Sequence, residues 1–190
     1  MKSENIIVRE ARREDAATIA QAVAMAIGDE VALRAYCGED HIAVLTEIAA
    51  RKGTQYSWQN GLIAEINGLV AGAVVGYDGC RLDVLREETF AVLRELVGRT
   101  PMIVDETEVG EYYLDSVAVL PNFRGLGVGR ELVAAFCEKA FSEGHEKVGL
   151  LVDFDNPQAE KLYASLGFRR INTRPFFTHQ MWHLQLWRVV

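Results

Sequence analysis

The sequence predicts a mixed α/β domain, a central sheet of mixed strand direction flanked by helices. Three observations lead there. Two β-type runs flank Asn67-Gly68, the strongest short signal for a hairpin, because both residues tolerate positive φ. From Tyr112 onward, strand and helix patterns alternate as they do in parallel crossover units. The 190 residues contain no repeat, low-complexity tract or Ser/Pro-rich linker, so one continuous domain over 1–190 is expected.

Each element has its own signal. Ile6 to Arg9 reads as a first strand. From Asp15 a helical pattern follows, with Ala16, Ile19, Ala20 and Val23 at 3.6-type spacing and Gly28 near its end. A second helix spans His41 to Arg51, carries Ile42, Leu45, Ile48 and Ala49, and stops at Gly53. Gly61 to Ile66 and Val70 to Tyr77 form the hairpin. Leu82, Leu85, Val92, Leu93 and Leu96 predict a further helix, read as part of an insertion at about 80–110. Tyr112 to Leu120 is a strand closed by Pro121. A glycine-rich turn, Arg124 to Gly129, leads into a helix with Leu132, Val133, Phe136 and Ala140, ended by Gly144. Lys147 to Asp153 is the next strand. Asn156-Pro157 opens the last helix, with Asn as cap and Pro in the first turn, and Gly167 follows its end. The aromatic tail, Phe168 to Trp187, reads as strand.

Composition narrows the function classes. The chain is 49% hydrophobic and 25% charged, which suits a packed globular domain and not a disordered one. Twenty Lys and Arg against 27 Asp and Glu leave a formal charge of −7, a poor basis for wrapping nucleic acid and a better one for attracting cations. Met1 to Glu10 has no apolar core of signal-peptide length. The most continuous apolar stretch, Leu69 to Tyr77, is about half a membrane span, so a soluble, cytoplasmic protein is expected, with no membrane partner. Cys37, Cys80 and Cys137 are few and scattered, which supports neither a disulfide framework nor a zinc cage.

The turn Arg124-Gly125-Leu126-Gly127-Val128-Gly129 carries the chemistry. Its glycines let bare N–H groups approach a ligand, and the following helix points its positive end at the same place. With Arg124 and Arg130 on either side, this is a site for phosphate or pyrophosphate. A dinucleotide fingerprint counted from Gly125 fails at Arg130, and no Gly-Lys-Ser/Thr of a P-loop exists. The plain alternative is a helix start that needs only a tight turn.

Leu114 to Val133, L-D-S-V-A-V-L-P-N-F-R-G-L-G-V-G-R-E-L-V, resembles the acetyl-CoA-binding segment of the GNAT N-acetyltransferase superfamily. Arg124, Gly127 and Gly129 fill the positions of its (Q/R)-x-x-G-x-(G/A) signature. Asn156, Ala159, Leu162, Tyr163, Gly167 and Phe168 resemble the family's N-x-x-A-x-x-L-Y-x-x-x-G-F ending, and Val8-Arg9-Glu10-Ala11 with Asp15 its usual opening. The resemblance implies a mostly antiparallel sheet of about six or seven strands with helices on both faces. It implies acetyl-CoA as co-substrate, with no metal. The backbone of Val117, Ala118 and Val119 would pair with the pantetheine arm and polarise the acetyl carbonyl. The amides of Arg124, Gly125, Leu126, Gly127, Val128 and Gly129, with Arg130 beside them, would hold the pyrophosphate. The strand carrying Val117 would splay from Lys147 to Asp153, and CoA would lie in the gap. Asn156 would touch the cofactor arm, a role compatible with capping a helix.

For catalysis the resemblance implies Tyr163 as general acid toward the departing thiolate, against the plain alternative of an aromatic packed beside Leu162 and Leu166. An ammonium with pKa near 10 must lose a proton first, which costs roughly 4 kcal/mol at pH 7. Asp115 is the preferred base, two residues from Val117 and so on its face by period-two alternation; Glu111 is the second candidate.

Lesser signals are weighed against plainer readings. The acidic run Asp105 to Glu111 forms an amine-binding lip or a solvated loop. His179 and His183 share a strand face without a third ligand, while Trp182, Leu184 and Leu186 form its buried side. Tyr56 and Trp58 line a pocket or pack the core. The expected function is acetyl transfer from acetyl-CoA to a primary amine of a small molecule or peptide by direct attack, since neither motif holds a cysteine. A non-catalytic acyl-CoA sensor or scaffold is the alternative, as is a transferase using a longer acyl group or an oxygen acceptor. Relatives of this kind often pair as homodimers.

Overall fold

The computed structural model describes residues 5–176 and 179–189. Among these, seven strands form one sheet, ordered β1-β2-β3-β4-β5-β7-β6. The strands are β1 (Ile6–Glu10), β2 (Gly61–Ile66), β3 (Leu69–Asp78), β4 (Tyr112–Val119), β5 (Lys147–Asp153), β6 (Arg169–Phe176) and β7 (His179–Trp187). Every neighbouring pair is antiparallel except β4 and β5. The helices are α1 (Ala16–Ile27), α2 (Glu30–Cys37), α3 (His41–Ala50), α4 (Leu82–Val97), α5 (Val128–Ser142) and α6 (Pro157–Ser165).

Local chemistry explains the elements. Asn67 and Gly68 both take positive φ, 52° and 76°, the geometry of a tight two-residue hairpin between β2 and β3. α1 ends where Gly28 turns left-handed and donates its N–H to Ala24. α6 begins with Asn156 accepting from the Ala159 amide and Pro157 in the first turn.

Two apolar layers cover the sheet. On one face Ile19, Val23, Leu45 and Ile48 of α1 and α3 pack on Ile63, Ala73 and Val75. On the other, Leu132, Val133 and Phe136 of α5 pack on Val74, Leu114 and Leu150. A Cβ at Gly76 would collide with the Tyr113 carbonyl and the Phe136 ring, so glycine there lets α5 lie against β3. α4 sits between β3 and β4 in the chain, where the sequence predicts it.

Three details differ from the sequence reading. The helix α2 lies in a stretch read without structure, although Asp29 caps it and Leu33, Tyr36 and Cys37 form its buried stripe. The tail is two strands, β6 and β7, paired as a hairpin. β7 is buried on both sides over His183, Leu184 and Gln185, because β5 and β6 flank it and polar partners fill its second face.

Candidate active site

The parallel pair β4 and β5 is joined only at Tyr112, Tyr113 and Leu114, opposite Val148, Gly149 and Leu150. Beyond that point both strands continue unpaired with each other and the sheet forks. Leu120 donates to the Ala71 carbonyl of the β3 side. By alternation the amides of Val117 and Val119 point the other way, into the fork, while that of Ala118 faces β3.

A bulge sits at the same place. Val75 pairs with Ser116 and Gly76 with Leu114, which leaves Asp115 as the extra residue of β4. The bulge breaks the alternation that the sequence reading assumed. Asp115 lies on the side of Tyr77, whereas Val117 packs with Leu114 and Val119 on the α5 side. Asp115 and Val117 nevertheless meet in one cavity of about 560 Å³, because that cavity opens where the sheet divides.

The glycine-rich turn frames the fork at its outer end. Gly125 and Gly127 have φ of 78° and 89°, and α5 starts at Val128 with no side-chain cap. The first amides of α5 to find partners are those of Arg130 and Glu131, both donating to the Gly127 carbonyl. The amides of Gly125 to Gly129 donate to no described residue. A Cβ at Gly129 would make only ordinary contacts, 3.5 Å from Val119 and 3.7 Å from Leu162, so packing within the protein does not demand glycine there. Arg124 is exposed and donates to the Val119 carbonyl at 3.3 Å; Arg130 donates to Ser165 Oγ at 2.8 Å and ties α5 to α6.

Asp115 is held in a polar network inside the cavity. Its Oδ1 accepts from Ser116 Oγ at 2.9 Å. The Tyr77 hydroxyl lies between two carboxylates, 3.1 Å from Asp115 Oδ2 and 2.8 Å from Glu106 Oε1, and accepts from Gln55 Nε2 at 3.0 Å. Arg86 of α4 grips Glu106 from behind and reaches Asp105 as well. Burial, and then the Glu106 charge, push the Asp115 carboxyl up to about 7. The sequence reading missed Tyr77, Gln55, Glu106 and Arg86; only the acidic run containing Glu106 offered a signal.

Tyr163 and Asn156 line the same cavity as Asp115. Tyr163 is buried, its ring meets Phe168 edge-on, and no described residue hydrogen-bonds its hydroxyl. Burial pushes its phenol up to about 12. Tyr56 also lines the cavity, while Trp58 does not.

Glu111 lies elsewhere. It is fully buried away from the cavity, accepting from Thr107 Oγ1, Gln185 Nε2 and His183 Nε2. Its carboxylate occupies the space above Gly149, where any Cβ would collide with it. His183 is thus bound to Glu111 and, through its other nitrogen, to Asn172; the side chain of His179 lies outside the described residues. The acidic run is no solvated loop, for Glu106 and Glu111 are buried and Glu108 is tied to Lys147 and Arg174. Cys37 and Cys137 are buried free thiols and Cys80 is exposed and free; none lines the cavity. No helix is long and apolar enough to cross a membrane among the described residues.

Comparisons with known proteins bear on this arrangement. An acetyltransferase of known crystal structure shares 34% identity and superposes with a TM-score of 0.80, across 95% of this chain and 98% of that one. An N-acetyltransferase from Staphylococcus aureus Mu50 shares 26% identity at a TM-score of 0.79, across 95% of this chain and all (100%) of that one. The mycothiol acetyltransferase of Kocuria rhizophila is 46% identical over 66 residues, 35% of this chain and 21% of that protein. The chain spans about a fifth of the length of the curated relatives it matches. A sequence profile described as the acetyltransferase (GNAT) family matches residues 37–168, and with most of its length so accounted for, the chain belongs to that family.

Proposed function

We propose that this protein transfers an acetyl group from acetyl-CoA directly to a primary amine. One observation carries the reading: the unpartnered amides of Gly125 to Gly129 lie past the end of β4, where Gly129 stands against Val119 and Leu162, and the cavity where β4 parts from β5 holds both Asp115 and Tyr163. The donor fits what is there. Five bare N–H groups at a helix start suit a pyrophosphate, and the glycines leave its space open. The unpaired edge of β4 offers the Val117 and Val119 amides to an extended amide-bearing arm, as a further strand would be bound. Arg124 and Arg130 add positive charge beside the loop, and Asn156 and Ala159 line the far side of the gap.

Acetyl-CoA supplies an acyl group already activated as a thioester. The residues of this chain do the rest. Asp115, poised near neutrality, takes the proton from the incoming ammonium. A β4 amide pointing into the fork donates to the acyl oxygen as negative charge gathers there. Tyr163 stays a neutral phenol at working pH and gives its proton to the departing sulfur. With no cysteine in the cavity, both reactants are bound together, and holding them in register supplies much of the acceleration.

Release of free thiol from acetyl-CoA in the presence of an amine panel tests this. Tyr163→Phe should lower kcat by about 10²-fold or more while calorimetry finds CoA affinity unchanged. CoA binding with no transfer to any amine would favour a non-catalytic acyl-CoA sensor. Faster turnover of a longer acyl-CoA would reassign the donor.

A further inference from the structure

One buried acceptor remains after the Asp115 network is counted. Gln55 is only 2% exposed and lines the cavity. Its Nε2 donates to both the Tyr77 hydroxyl and Glu106 Oε1, which sets the orientation of the amide, since the reverse would turn its oxygen against a carboxylate. Its Oε1 is then buried with no donor. Buried polar groups are rarely left so, and a donor arriving from outside would complete it.

The lining of the cavity is of one sign. Among the described residues it contains Asp29, Glu106, Asp115, Asp153 and Asp155, and no Lys, Arg or His. Asp29 and Asp155 are exposed at its mouth; Glu106 and Asp115 lie within. The rings of Tyr36, Tyr56 and Tyr113 add π faces, which attract cations. Gln55 Nε2 and Asp115 Oδ2 both bond the phenol oxygen of Tyr77, at 3.0 and 3.1 Å, so the two side chains are neighbours in the cavity lining.

We propose that the acceptor is a cationic amine bearing no carboxylate or phosphate, and that its ammonium donates one N–H to Gln55 Oε1 and another to Asp115. This deepens the acetyl-transfer reading and rests on it. An α- or ω-amino acid would bring an anion against a lining whose described residues offer it no positive partner. A second ammonium would instead meet the carboxylates at the mouth.

Three amines of matched length test the idea: 1,4-diaminobutane, n-butylamine and 4-aminobutanoate, each at saturating acetyl-CoA. The expected kcat/KM for 4-aminobutanoate is at least tenfold below that for butylamine, with diaminobutane at least equal to butylamine. Gln55→Leu should raise KM for butylamine about tenfold with a much smaller change in kcat. Asp155→Asn, at the exposed mouth, should narrow the gap between diaminobutane and 4-aminobutanoate, and it keeps the test open should Gln55→Leu fail a thermal-melt check. Equal use of 4-aminobutanoate and butylamine overturns the proposal and leaves acetyl transfer standing. So does an unchanged KM in a folded Gln55→Leu variant. If none of the three reacts, the wider amine panel decides the transfer reading, and thermal-shift titration of the CoA complex decides the site. Stabilisation by diaminobutane and not by 4-aminobutanoate supports it, and any other pattern overturns it.

Discussion

Asp115 is a carboxyl group kept where its charge is unwelcome. Burial and the neighbouring Glu106 raise it to about 7, while Ser116, Tyr77 and Arg86 pull the other way. Two consequences follow from one cause. In the proposed role of base it works when ionised, so kcat/KM should rise with pH through about 7, and Asp115→Asn should lower it by about 10²–10⁴-fold and remove that limb. The same shift acts on folding. A carboxyl raised from 3.8 to about 7 binds more protons when folded, so its contribution to stability is full below about pH 4 and is lost as pH climbs toward 7. Asp115→Asn should therefore melt higher than the parent at pH 8, with the difference vanishing near pH 4. Melting curves at the two pH values check this, and equal curves at pH 8 would contradict it. The residue itself was legible in the sequence, as a carboxylate on the strand that precedes the glycine-rich turn. Its surroundings were not, because Tyr77, Gln55 and Glu106 lie 38, 60 and 9 positions away from it in the chain.

At the scale of elements, the first turn of α5 depends on backbone that no side chain obstructs. Gly127 has φ of 89°, which a residue with a Cβ rarely adopts, and it stands among unpaired amides. Gly127→Asp adds strain, bulk and a negative charge where a pyrophosphate would lie. CoA binding measured by calorimetry should fall below detection, while circular dichroism retains the parent's content of helix and strand, because the loop is exposed. Undiminished CoA binding would remove the phosphate assignment. Here local sequence was informative, since a glycine turn, its flanking arginines and the amphipathic run after it are contiguous. The β4 bulge left no such trace. Period-two patterning assumes an unbroken strand, and the extra residue at Asp115 reversed the faces on either side of it.

At the scale of the whole molecule, the sheet is joined at one end of its central parallel pair and open at the other. Polar groups secure the joined end. Glu111 lies over Gly149 of β5 and bonds His183 and Gln185 of β7, so three elements meet at one carboxylate. Gly149→Ala would drive a methyl group into that carboxylate. Urea unfolding should show a loss of about 1–3 kcal/mol, and more if the buried pair with His183 breaks. A loss near zero would mean that the carboxylate has room to move. This arrangement also removes Glu111 from the cavity, where the sequence had left it as an alternative base.

The sequence by itself determined the order of nearly all the elements, the tight hairpin at Asn67-Gly68, the glycine-rich turn before α5 and the capped start of α6. Each of these is a local matter of backbone conformation, side-chain capping or apolar spacing within a few residues. Tertiary structure decided where the sheet forks, which face Asp115 takes, and that Gln55, Tyr77, Glu106 and Arg86 converge on it from β3, α4 and the segments before β2 and β4. Such convergence depends on long-range packing and on desolvation, which exist only once strands distant in the chain have come together.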